Sequence, residues 1–155
     1  MSEDGVFTLI NVAVTPAWLL LALAPRWSGT RAIVHSGLYP VFFGLTYAAF
    51  LINAALFGAH AEGVSYTSLA GVMAIFDHPN GALTGWSHYL VFDLFVGAWI
   101  GRDAIRRNVT HIVVLPSLFF CFMFGPIGLL LYFAARMMLG KGSISLSETV
   151  EPAAR

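Results

Sequence analysis

Residues Gly81 to Asp103 read GALTGWSHYLVFDLFVGAWIGRD, and their reading decides the fold. Apart from His88 and Asp93, the interior of this stretch is almost wholly apolar. In a membrane helix a carboxylate at that depth costs about 2.5–3.5 kcal/mol on insertion scales. Neither residue helps a helix to insert, so both are candidates for function.

Composition places the stretch in a membrane. The chain has 155 residues, 58% of them hydrophobic and 10% charged, with a mean hydropathy of +0.78. Soluble domains carry about 25% charged residues, and a fold of this length has too little interior to hide so much apolar surface. The expected class is all-α: an integral membrane bundle of four transmembrane helices, with a short interfacial helix between the second and third. Each span needs about 20 residues. The four expected spans are Val6–Ala24, Leu38–Phe57, Ala82–Ile100 and Ile112–Met137. The run from Tyr66 to Phe76 is too short to cross. Its Leu69, Val72, Met73 and Phe76 share one helical face, the pattern of a helix lying in the interface. Residues 1–139 form the expected transmembrane domain, and 140–155 a polar, mobile tail.

Proline and charge refine this outline. Pro16 bends the first span by removing a backbone donor. Gly125-Pro126 predicts a kink in the fourth span or its division into two half-helices. The linkers holding Arg26 and Arg31, and Arg102, Arg106 and Arg107, point to the cytoplasm by the positive-inside rule, although Arg136 and Lys141 oppose this. The acidic start MSEDG differs from a secretory signal, so the first span is expected to be retained. Net charge is zero with no basic stripe, which argues against a nucleic-acid partner. The single Cys121 sits in LFFCFMF, where a small buried hydrophobe is its simplest role, and no metal pattern is present.

Within the third span, the helical turn of about 100° per residue puts His88, Trp99, Arg102 and Arg106 on one stripe. Asp93 lies on another, between Tyr89 and Gly97. His88 and Asp93 are separated by about 7.5 Å along the axis, which suits two walls of a wide cavity and not an i, i+4 metal pair. Asn11, Tyr47, Asn53 and His88 are the polar groups within expected reach of Asp93. A buried carboxyl with no cation at its depth favours the protonated form. Bonding to Asn or Tyr across the bundle is its structural alternative. For His88 the alternatives are an interfacial or bundle-satisfied side chain, a proton shuttle, or an axial haem ligand. Arg102 and Asp103 either set topology or pair at the mouth of a cavity. Trp27, Trp86 and Trp99 stand near span ends as an aromatic belt would.

Two segments carry a family resemblance. The run WSHYLVFDLFVGAWIGRD, from Trp86 to Asp103, is followed by LFFCFMFGPIGLLLY, from Leu118 to Tyr132. Together they resemble the abscisic-acid-deficient-four family, whose plant members are neoxanthin synthases of the chloroplast. The matching positions are Trp86, His88, Asp93, Leu94, Phe95, Asp103, Gly125, Pro126 and Gly128. The resemblance implies carotenoid chemistry, in which an epoxide is opened and rearranged to an allene with no net redox change. An acid for the epoxide oxygen and a base for a polyene proton would suffice, and Asp93 and His88 are the groups expected to supply them. Asn11, Tyr47, Asn53, Trp86, Tyr89, Trp99, Arg102, Asp103 and Pro126 are the expected substrate contacts. No metal and no cofactor is expected, haem on His88 being the alternative. The expected partners are a carotenoid or other long isoprenoid and the lipid bilayer, with homo-oligomerisation left open. A non-catalytic pigment binder or assembly protein is the competing reading. The first span starts within ten residues and the loops are short, which suggests a compact bacterial-type member, multi-pass in the inner membrane.

Overall fold

A computed structural model describes residues 2–147. Of the expected tail, positions 148–155 lie outside the described residues. The described chain is helical, without strands among those residues. Its order is α1 (Glu3–Leu23), α2 (Ser28–Ile33), α3 (Leu38–Phe57), α4 (Leu69–Phe76), α5 (Pro79–Arg106), α6 (His111–Phe124) and α7 (Pro126–Met138).

Local chemistry explains the boundaries. α1 continues through Pro16, and Pro25 lies just past its end. α3 is bracketed by Gly37 at φ 82° and Gly58 at φ 67°, left-handed positions that glycine adopts without a Cβ penalty. The Ser68 hydroxyl accepts from the Gly71 N–H at 3.1 Å and starts α4. Asn108, at φ 52°, turns the chain after α5. The fourth expected span divides at Gly125, φ 49° and ψ −91°, with Pro126 at the start of α7. The half-helix alternative is therefore the one found. Proline tolerates a first-turn position because its missing N–H would be unpaired there anyway.

By length and composition, two segments suffice to cross a membrane: Glu3–Leu23 and Ser28–Phe57, the latter comprising α2 and α3 with the turn between them. Four spans were expected. α6 and α7, at 14 and 13 residues, are each too short alone. α5 is long enough, at 28 residues, but Asn80, Thr84, Ser87, His88 and Asp93 interrupt its apolar character.

The described residues fall into two compact units, 2–16 with 36–92, and 17–35 with 93–147. In the first, Ile10, Val14, Phe43, Leu83, Leu90 and Val91 are buried. In the second, Trp18, Leu21, Leu94, Ile100, Val114, Leu118 and Tyr132 are buried. There the Trp18 indole lies over Gly97, where any Cβ would collide with it. The face of α4 expected to be apolar is the exposed one: Leu69, Val72, Met73 and Phe76 all face outward.

Candidate functional site

Asp93 is only 9% exposed. Helix α5 delivers its side chain to the break between α6 and α7, and a Cβ on Gly125 would run into its carboxylate. The Cys121 thiol donates to the Asp93 carbonyl at 3.4 Å. Gly128 is equally constrained, since a Cβ there would strike the backbone of Cys121. The Asp93 side chain thus sits beside the N-terminal end of α7. Glycine at 125 serves two needs, the positive φ of the break and the close approach of Asp93.

A second acidic centre lies further along α5. Asp103 is fully buried, three residues beyond Ile100 where the expected apolar span ends. It accepts from the Tyr132 hydroxyl at 2.7 Å, from Arg136 Nη1 at 2.6 Å and from Arg107 Nε at 2.9 Å. Arg106 Nη2 lies 3.6 Å from its other oxygen. Burial pushes the Asp103 carboxyl up, but the hydrogen bonds from Tyr132, Arg136 and Arg107 outweigh it and hold the group below the usual carboxylate value. Arg136 is itself fully buried and lies over Phe133, Tyr132 and Trp99, with centroids 5.0, 5.5 and 5.8 Å away. Its Nη2 donates to the carbonyls of Ser143 and Ser145, and Arg107 donates to those of Lys141 and Ser147. Residues 141–147 are thereby tied to Arg107 and Arg136, at the ends of α5 and α7. From the sequence Arg136 reads as an orientation charge, and no local pattern marks Tyr132 as a partner of Asp103. The i, i+4 spacing of Asp103 and Arg107 was a usable local signal, whereas nothing local pointed to Arg136, 33 positions away.

The other expected site residues are distributed differently. His88 is exposed, its ring 5.7 Å from Tyr47 and 4.6 Å from Phe92. Asn11 accepts from the Trp86 indole at 3.1 Å, and Trp86 also meets Phe7 and Tyr89 at 5.5 and 5.2 Å. Asn53 donates to Asn80 at 3.1 Å, and Asn80 donates to the Phe50 carbonyl at 2.9 Å. Asn11, Tyr47, Asn53 and His88 make these contacts within the first unit. Trp99 is buried edge-on to Tyr132 and Phe133. Arg102 approaches His35 Nδ1 at 3.2 Å. Pro126 begins α7 beside the Asp93 carboxylate.

Two open cavities lie in the second unit. One, of about 520 Å³, is bordered by the end of α1 and the start of α6, including Trp27 and His111. The other, of about 450 Å³, is lined by Arg26, Arg31, His35, Arg102 and Arg106, with Pro25 and Ile105. Among the described residues no group of three or more His, Cys, Asp or Glu could hold a metal ion.

Residues 5–132 match the family described as ABA DEFICIENT 4-like. Among curated proteins, "Protein ABA DEFICIENT 4, chloroplastic" from Arabidopsis thaliana is 22% identical over 140 residues, covering 88% of this chain. The alignment covers 62% of that relative, so the chain spans less than two thirds of its length. No solved structure matches.

Proposed function

The chain belongs to the ABA DEFICIENT 4-like family, and from that premise we propose that it is a multi-pass membrane protein that binds a carotenoid or similar long isoprenoid and isomerises it. Asp93 is the proposed acid. It protonates an epoxide oxygen, the C–O bond opens, a base removes a proton from the polyene carbon, and an allene forms with no net redox change. His88, five residues earlier on α5, is the proposed base.

One observation carries this reading. The two sequence runs that resemble the family, Trp86–Asp103 and Leu118–Tyr132, meet at Asp93 and Gly125. A carboxyl group with little access to solvent is thus held at an irregular piece of backbone, an arrangement that membrane proteins use where polar chemistry is needed at depth. The membrane placement is supported by α1 and α3. The apolar windows of the two candidate segments are 28% and 6% buried, so most of that surface needs lipid as its solvent. In this reading α5 and the α6–α7 pair complete four crossings.

The deciding experiment compares pigment profiles of a carotenoid-producing bacterial host with and without the protein, and with Asp93→Asn. Conversion of an epoxycarotenoid that Asp93→Asn abolishes supports the reading. An unchanged profile sinks the isomerase. Conversion that survives Asp93→Asn restricts Asp93 to a structural role. A visible spectrum of the detergent-purified protein separates bound carotenoid, with its three-peaked band, from haem with its Soret band.

A further inference from the structure

The cavity of about 450 Å³ in the second unit has an unusual lining. Arg26, Arg31, Arg102, Arg106 and His35 surround it, and no Asp or Glu is among the lining residues. These groups come from two places about 70 positions apart in the chain. Thr30 is fully buried, and its hydroxyl donates to the Ala24 carbonyl at 2.6 Å. The Val34 and His35 N–H groups both donate to the Thr30 carbonyl. These bonds fold residues 24–35 back on themselves and fix where Arg26, Arg31 and His35 stand. Arg102 and Arg106 follow one another by one turn of α5.

Four guanidinium groups around one cavity repel each other unless an anion joins them. Asp103, on the same helix as Arg102 and Arg106, accepts from Tyr132, Arg107 and Arg136 and reaches Arg106 at 3.6 Å. Arg102 carries donors only, so its contact with His35 Nδ1 requires that nitrogen to accept. His35 is then neutral, with Nε2–H left as a further donor. The cavity therefore offers planar, forked donors and a net positive charge, the combination that suits phosphate oxygens. Its size falls within the range of small-molecule sites. Arg26 stands three positions past the end of α1, the depth at which lipid headgroups lie when α1 crosses a bilayer.

We infer that the cavity formed by Arg26, Arg31, His35, Arg102 and Arg106 binds a phosphate group, carried by an anionic lipid headgroup or by a free diphosphate. The inference stands apart from the carotenoid reading, because neither Asp93 nor the α6–α7 break takes part in it.

The test uses the full chain purified in dodecyl maltoside. Thermal unfolding is followed by tryptophan fluorescence during titration with sodium diphosphate. A parallel titration adds phosphatidylglycerol in mixed micelles, with phosphatidylcholine as its control. A saturable rise in Tm with diphosphate assigns a free phosphate ligand. A rise with phosphatidylglycerol, absent with both diphosphate and phosphatidylcholine, assigns a lipid headgroup. In either case the Arg31→Gln and Arg102→Gln variants are expected to lose affinity by about tenfold or more, as for a charged hydrogen bond. Arg31 is exposed, so Arg31→Gln decides the matter if Arg102→Gln does not fold. The inference is overturned if neither probe raises Tm, if the two lipids act alike, or if Arg31→Gln binds as tightly as the parent.

Discussion

The carboxylate of Asp93 occupies the space that a side chain at Gly125 would need. Two positions 32 apart in sequence are therefore locked to each other's identity. A larger residue at 125 displaces the carboxylate, and the carboxylate's position depends on the break that Gly125 permits. Gly125→Ala is expected to destabilise the protein by about 1–3 kcal/mol, from the clash and from the positive φ together. Combining it with Asp93→Ala should recover part of that loss, because the second change removes the colliding group. Thermal unfolding of the two single variants and the double variant checks this. Strict additivity would show that the clash is relieved elsewhere.

Asp103 predicts a response to acid. Its carboxyl is held below the ordinary value, so the protonated form is disfavoured in the folded chain. The resulting stabilisation is fully present above the unfolded carboxylate pKa, about 4. It is lost as pH falls through the lower folded value. Melting temperature measured downward from pH 6 should fall at the acid end, and Asp103→Asn should flatten that fall.

Asp103→Asn should also destabilise the protein at neutral pH by about 3–5 kcal/mol, because it leaves the fully buried Arg136 without its counter-charge. Replacing both residues together, Asp103→Leu with Arg136→Met, should cost less than Asp103→Asn alone. Denaturation of these variants in one detergent gives the comparison. A double variant less stable than the single one would contradict it.

The Asn53–Asn80 pair links α3 to α5 inside the first unit. Asn80 also donates to the Phe50 carbonyl and is nearly buried, whereas Asn53 has the pair bond alone described. Asn80→Ala is expected to cost about 1–3 kcal/mol and Asn53→Ala about 1 kcal/mol or less. The order of the two melting temperatures is the readout.

Gly97 lies under the Trp18 indole in the second unit, and Gly97→Val is expected to cost about 1–3 kcal/mol by overpacking. Trp18→Leu should offset part of it. Tryptophan fluorescence of Gly97→Val should also shift, since the indole must move; an unchanged emission maximum would argue against the contact.

Much of this protein was legible in one dimension. Hydropathy placed helices at all four expected apolar stretches, and Gly125-Pro126 marked the break, because proline and glycine act locally on the backbone. The amphipathic pattern of Leu69, Val72, Met73 and Phe76 located α4, since helical periodicity alone defines a face. The resemblance carried by Trp86–Asp103 and Leu118–Tyr132 led to the family for the same reason: it is written in contiguous residues. Tertiary structure alone decided which polar groups meet. Asp93 joins Gly125, Asp103 joins Tyr132 and Arg136, Asn53 joins Asn80, and four arginines from two distant segments share one cavity. Such pairings depend on how helices pack side by side. A helix's sequence sets its period and its apolar face, but not which neighbour that face will meet or at what height.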